Sequence, residues 1–531
     1  MVLDRVTFTV LETSDVHGHV TPTSYATKLP VPSGLARASS FIKRVREEAQ
    51  PVLLIDNGDM IQGTPLMYHY VKFRQHLPNP TISVMNYMNY DSATIGNHEF
   101  NYGMSVLSKA ISQSNFPWLS ANIVHKVTKE SYFGFPYCVK ILDGNVKVVI
   151  LGITTHYIPN WENPSYIKEL SFEDALVAMK NWVNFIHETE KPDFVIVSYH
   201  GGLERDPETG EQTEELTGEN QGYQICQEID GIDLLLTGHQ HRELTTRINR
   251  TFVMQPGYSA QSIGKIDVTL KRNGTSWSIE TIDGEVVSLQ DEQPDPEVLK
   301  IVHYHELETQ KWLDQPLGLI EGDMTIKDPM GVRLKEHPMI EWINQVQMEA
   351  AGVSISNTSL FNNESLGFPS NVTMRDIVSN YIYPNTLTVL ELSYEDIKEA
   401  LEKSASYFMI EKNEIIVNPA FTTPKPQHYN YDMWEGITYT INVSKPIGER
   451  IVELMIEDEK QNASGRYHVV MNNYRAGGGG DYSMFKGKPI IKEILTDMAE
   501  LLADHLEHHK KIKATVNNNW QVTQSSLKSD N

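Results

Sequence analysis

The chain has 531 residues, more than a single hydrophobic core usually organises, so two domains are expected. Its 40% hydrophobic and 21% charged residues match an ordinary globular composition, and no apolar run is long enough to span a bilayer, so no membrane partner is expected. A net charge of −24 repels polyphosphate backbones, which argues against nucleic-acid polymers as partners. A small anion could still bind where positive charge is concentrated, and metal ions are the obvious source. Cys138 and Cys226, the only cysteines, exclude a disulfide framework and leave a single bridge open. The N-terminal stretch lacks the basic, apolar and small-residue pattern of a leader. A cytoplasmic protein is therefore expected, or an exported one if a leader has been removed.

Along the first half, β-rich apolar runs at Val6–Leu11, Val52–Ile55, Ser92–Ile95, Lys147–Leu151, Phe194–Ser198 and Asp233–Leu236 alternate with amphipathic stretches. Gly34–Gln50 and Phe172–Glu188 are such stretches. This alternation predicts a layered α/β domain over residues 1–293. Residues 294–314 read as a linker helix starting near Pro296, with apolar Val298, Ile301, Val302 and Leu307. A second domain is expected over 315–516, with a strand at Thr386–Leu392 and a Ser393-capped helix to Ser404. Residues 517–531 read as a polar, disordered tail.

Five predicted strands run into residues that ligate metals. They lead to Asp15-Val16-His17, Asp56-Asn57-Gly58-Asp59, Gly96-Asn97-His98-Glu99, His200-Gly201-Gly202 and Gly238-His239-Gln240-His241. Ligands gather at the carboxyl ends of strands in α/β sheets, so these residues can converge. Asp15 and His17, like His239 and His241, are two apart, which in extended backbone points both side chains the same way. Any one such residue is more often a turn or core residue than a ligand; five together in one domain are not. Carboxylate, imidazole and amide ligation suits Mn²⁺, Zn²⁺, Fe²⁺ or Mg²⁺. His19 has no matching partner and reads as structural, and His505–His509 reads as the solvated face of a C-terminal helix.

These strings, with Gly58-Asp59-Met60-Ile61-Gln62-Gly63 and Asn97-His98-Glu99-Phe100, resemble the signature of the calcineurin-like metallophosphoesterases. Their order and the second domain resemble the 5′-nucleotidase superfamily. The resemblance implies a two-sheet sandwich flanked by helices, joined by the linker helix to a smaller α+β nucleotide-binding domain. It implies two divalent ions, one held by Asp15, His17, Asp59 and His241, the other by Asp59, Asn97, His200 and His239. A metal-activated hydroxide would attack phosphorus in line, with His98 stabilising the transition state.

Family 5′-nucleotidases carry Asp after Asn-His-Glu-Phe; this chain has Asn101. An amide there can accept a hydrogen bond from the imidazole but brings no negative charge to it. The string Asn97 to Gly103 resembles the 2′,3′-cyclic-nucleotide 2′-phosphodiesterase/3′-nucleotidase branch. Tyr383-Pro384-Asn385 and Asn473-Tyr474-Arg475 resemble its base-stacking segments, so Tyr383, Asn385 and Tyr474 are expected at the base, and Asp481 and Arg375 are candidate substrate contacts. The Asn-Gly-Gly-x-x-Arg pattern of 5′-nucleotidases does not appear, and Ser359–Asn362 stands in its place. The resemblance thus implies hydrolysis of small nucleotides, cyclic and 3′ esters ahead of 5′-monophosphates. A 5′-nucleotidase or nucleotide-sugar hydrolase is the alternative enzyme, and a non-catalytic nucleotide-binding protein the rival from another class.

Overall fold

A computed structural model describes residues 3–48, 51–214, 216–383, 385–423, 425–456 and 465–524. The chain divides into two compact units, Met1–Thr309 and Gln310–Asn531. The expected linker helix is present as Pro296–Leu313, and the division falls inside it rather than before it.

The first unit holds two six-stranded sheets. One orders its strands as Ser276–Ser288, Ser262–Asn273, Arg5–Thr13, Val52–Asp56, Ser92–Thr94 and Trp118–Leu119. The other runs Glu243–Ile248, Thr251–Pro256, Leu234–Thr237, Phe194–His200, Val146–Thr154 and Tyr137–Leu142. Within each sheet the strands that carry candidate ligands run parallel to one another, so their carboxyl ends lie along one edge of each sheet. Parallel strands must cover both faces, and the alternation of side chains divides them between two cores. Val148, Ile150, Ile196, Leu234 and Leu236 point inward, with Phe8, Val10, Leu53 and Ile55 of the other sheet. Phe8 meets Phe194 edge-to-face at 5.4 Å across that interface. Their sequence neighbours Val149, Leu151, Val195, Val197 and Leu235 point outward, beneath Ala178, Met179, Val183 and Ile186 of the helix Ala175–Thr189. That helix starts at Ala175 because the Asp174 side chain accepts from Val177 N, and Leu170–Phe172 pairs as a strand with Ile123–His125. Cys138 and Cys226 are free.

In the second unit a five-stranded sheet is ordered Asp432–Glu435, Ile355–Ser359, Tyr467–Asn472, Leu387–Leu392 and Ile490–Ile494. The helix Pro338–Ala351 is tied to it by Asn344 and Gln347, whose amides donate to the carbonyls of Met433 and Asn357. The expected strand and helix appear as Leu387–Leu392 and Tyr394–Ala405. Ser393 and Asp396 form a reciprocal capping box at that junction. Two expectations are corrected here. Trp520–Thr523 is not tail but a strand paired in parallel with Ile437–Asn442, because buried Trp520 stacks on Tyr439 at 5.7 Å. Residues 525–531 of the expected tail lie outside the described residues. His505 is no solvated histidine: it accepts from Trp342 Nε1 at 3.3 Å and faces Glu349 at 3.3 Å.

Candidate metal centre

His200 ends the strand Phe194–His200, while five other ligand residues sit just past strand ends in backbone that is far from extended. Asp15, His17, Asp59, His239 and His241 all have φ between 51° and 67°. Left-handed conformations are costly for residues with a Cβ and gather at functional sites. The two pairs spaced by two residues therefore reach one place through left-handed turns, not through the strand pleat. Close approach also dictates Gly96, where a Cβ would lie 2.3 Å from Asp59 Oδ1.

The sequence-predicted ligands form two groups. The ligating atoms of Asp15, His17 and His241 lie within 4.8 Å of one another, and so do those of Asp59, His200 and His239. Asn97 Oδ1 joins the second group, 3.0 Å from His200 Nε2 and 2.9 Å from His239 Nδ1. In three of the four histidines the ring nitrogen facing away is pinned. His17 Nδ1 donates to the Gln62 carbonyl at 3.1 Å, and His200 Nδ1 to the Asn57 carbonyl at 2.7 Å. His239 Nε2 meets Glu219 Oε1 at 2.8 Å. This orientation, one nitrogen fixed on an oxygen and the other aimed inward, is that of metal-ligating histidines. His17 Nε2 and His241 Nε2 consequently face each other at 3.1 Å. The donor set thus fits divalent cations. Stacking rings brace two of the ligands: Trp161 on His239 at 5.2 Å and Tyr258 on His241 at 4.9 Å.

The electrostatics follow from packing such groups without solvent. Burial opposes ionisation of Asp15 and Asp59, but His241 and His200 facing them hold both carboxyls below the usual range. Burial likewise opposes charge on His200, and Asp59 outweighs it, pushing the imidazole up to about 10. His17 falls to about 3, chiefly through burial.

His98 stands beside the ligands, its ring 5.2 Å from that of His17 and its backbone N–H donating to Asp59 Oδ1 at 2.7 Å. Its Nδ1 meets Asn101 Oδ1 at 2.6 Å. Sequence reasoning named His98 and Asn101 but missed three carboxylates around them. Glu99, fully buried, accepts from the N–H groups of Asp59, Met60, Ile61 and Gly96 and so ties the Asp59 loop to the Asn97 loop. Glu219 holds His239. Glu162, 7% exposed and pushed by burial up to about 7, accepts from Asn101 Nδ2 at 2.9 Å. Glu99 was visible within its motif; Glu162 and Glu219 come from irregular segments with no spacing to mark them. His19 packs its Nδ1 on the Val16 carbonyl at 3.0 Å.

In the second unit, Tyr429 stands edge-on to Tyr383 at 6.3 Å and to Tyr474 at 6.4 Å, so the two expected stacking residues share a third ring that the sequence did not single out. Asn385 bonds through its backbone to the Tyr383 carbonyl and to Met498 N–H. Buried Arg375 directs its guanidinium at Asp314 and Gln310, both at 2.7 Å. Asp481 pairs with Lys403 at 3.2 Å. Arg475 is buried on Asp432 at 2.8 Å and holds the Tyr429 carbonyl at 2.7 Å, which fixes the loop that carries the third tyrosine.

A two-sheet sandwich whose parallel strands deliver two imidazole–carboxylate groups to one edge defines a metal-dependent phosphoesterase. Residues 8–243 match the calcineurin-like phosphoesterase family and residues 321–487 the 5′-nucleotidase C-terminal domain. The chain therefore belongs to the calcineurin-like phosphoesterases that carry a 5′-nucleotidase C-terminal domain, and it is a metal-dependent phosphoric ester hydrolase. A Staphylococcus aureus protein crystallised in complex with alpha-ketoglutarate has a TM-score of 0.90 and 33% identity to it, covering 98% of this chain and 100% of that one. The 2′,3′-cyclic-nucleotide 2′-phosphodiesterase/3′-nucleotidase of Haemophilus influenzae is 26% identical, over 96% of this chain and 86% of its own length. The trifunctional nucleotide phosphoesterase protein YfkN of Bacillus subtilis is 27% identical over 98% of this chain, which spans 39% of that longer protein.

Proposed function

We propose that the chain is a dinuclear phosphoesterase that hydrolyses 2′,3′-cyclic nucleotides and 3′-nucleotides. The observation that carries the two-ion reading is the pair of inward-aimed ligand groups, one of Asp15, His17 and His241, the other of Asp59, Asn97, His200 and His239. Asp59 would be shared between the ions. When bound, two such ions supply Lewis acidity and an acidified water for in-line displacement at phosphorus. The chain's own residues supply the rest. Asp15 and Asp59 hold negative charge at the bottom of the site, and Glu99 keeps Asp59 and Asn97 in register. His98, with Nδ1 donating to Asn101 Oδ1, turns Nε2 to the substrate, where the doubly protonated ring would donate to a phosphoryl or leaving oxygen. Tyr383 and Tyr474 would stack on the base with little base selectivity.

The substrate preference rests on the Asn97–Gly103 string, in which Asn101 replaces the family's Asp, and on the relatives that bear the cyclic-nucleotide name. A second reading, hydrolysis of 5′-nucleotides or nucleotide sugars, is favoured by the match to a 5′-nucleotidase C-terminal domain. The test of the two-ion reading is metal stoichiometry after Mn²⁺ loading, in wild type and in Asp59→Asn. Two ions per chain, with both sites weakened by the substitution, are expected. A single ion, or a variant that loses one ion and keeps turnover, contradicts the shared carboxylate.

A further inference from the structure

His98 is bonded to the neutral amide of Asn101, and a buried carboxylate, Glu162, stands directly behind that amide. Residues 158–163 carry it, together with Trp161 on the face of His239. Glu162 is acceptor-only when ionised, and both of its oxygens are engaged: Oε2 by Asn101 Nδ2 at 2.9 Å and Oε1 by the Asn163 N–H at 2.7 Å. The amide of Asn101 has one donor end and one acceptor end. With its NH₂ held by Glu162, its oxygen must face His98 Nδ1, and His98 must carry its proton there. A flipped amide would present NH₂ to Nδ1 and reverse the tautomer, leaving Nε2 with the hydrogen.

From this geometry we infer that Glu162 is a positioning residue, the terminal carboxylate of a His98–Asn101–Glu162 chain that holds His98 Nδ1 on the Asn101 amide oxygen and so directs Nε2 at the reacting phosphate. The inference rests on the phosphoesterase reading of the site. By accepting from Asn101 Nδ2, Glu162 turns the amide oxygen to His98 and so orders both side-chain hydrogen bonds of the chain.

The test exploits that direction. In Glu162→Gln only one side-chain oxygen remains, so either the Asn163 N–H or the Asn101 NH₂ loses its acceptor and the Asn101 amide is free to flip. In Asn101→Asp two carboxylates face each other. In the double variant the carboxylate introduced at position 101 accepts from His98. The amide introduced at position 162 donates to that carboxylate while accepting from the Asn163 N–H, so the order is restored with donor and acceptor exchanged between the two positions. With Mn²⁺ supplied and bis-p-nitrophenyl phosphate as substrate, each single variant should lose about 10- to 100-fold in kcat with KM within about twofold. The double variant should recover to within about fivefold of wild type. A double variant no better than Asn101→Asp, or a Glu162→Gln variant with wild-type kcat, overturns the inference. If Glu162→Gln alone fails to fold, the comparison of Asn101→Asp with the double variant still decides. An inactive wild type would strike at the phosphoesterase reading, whereas an active wild type with additive losses strikes at this inference alone.

Discussion

Glu99 offers the sharpest test of how the site is held. Its two oxygens accept four backbone N–H groups at 2.6–3.2 Å, three from the Asp59 loop and one from Gly96. Burial, and then the charge of Asp59, push its carboxyl up, and His200 together with these backbone donors favours the ionised group there. Glu99→Gln keeps the shape but leaves one acceptor oxygen, so two of the four N–H groups face an amide NH₂. At about 1–3 kcal/mol for each buried donor left unsatisfied, the folded state should lose about 2–6 kcal/mol, partly offset by relief from Asp59. Asp59 and Asn97 sit on the two loops that Glu99 joins, so metal affinity should fall with it, by about 10- to 100-fold. The assay is turnover as a function of Mn²⁺ concentration, run beside thermal unfolding of the metal-stripped protein. A variant with the wild-type Mn²⁺ dependence and wild-type melting temperature would refute the claim that Glu99 sets the positions of the ligands.

Further outcomes follow from the same structure. Asp59→Asn should abolish nearly all turnover, while Tyr474→Ala should mainly raise KM, by the equivalent of roughly 1–3 kcal/mol; steady-state kinetics on one nucleotide separates the two, and equal small effects would mean the site is misplaced. Phe194→Ala, which removes the ring packed on Phe8 between the sheets, should cost about 3–5 kcal/mol in denaturant unfolding of the first unit. Glu435, pushed up to about 7 by burial and by Glu336 and Glu341, binds its proton more tightly folded than unfolded. Its contribution is therefore fully present below the unfolded carboxyl pKa of about 4.3 and is lost as pH rises through about 7. Glu435→Gln should flatten that fall, which amounts to at most about 4 kcal/mol, in melting curves from about pH 4 to 8.

The sheets and ligand groups were legible because they depend on local patterns. Apolar runs such as Phe194–Ser198 identify strands buried on both faces, and polar residues at their exits mark the edge where ligands meet. The turn geometry was not legible. Nothing in Asp15-Val16-His17 announces left-handed backbone at both ends, since only the surrounding contacts compel it. Glu162 and Glu219 were invisible for a related reason: each reaches its amide or histidine across 61 and 20 residues of sequence, respectively, from segments without periodicity. The polar composition after Asn517 concealed one docked residue, Trp520, which turns part of an expected tail into a strand. Arg375 shows the limit of residue type as a guide, because a buried guanidinium beside Asp314 looks in sequence like any candidate anion contact.

The most direct test of the proposed activity is kcat/KM for 2′,3′-cyclic AMP, 3′-AMP and 5′-AMP with Mn²⁺ supplied, reading phosphate release with and without added phosphomonoesterase. The account predicts that the cyclic and 3′ substrates are preferred. Preference for 5′-AMP would leave the metal centre standing and contradict the substrate assignment drawn from Asn101 and its neighbours.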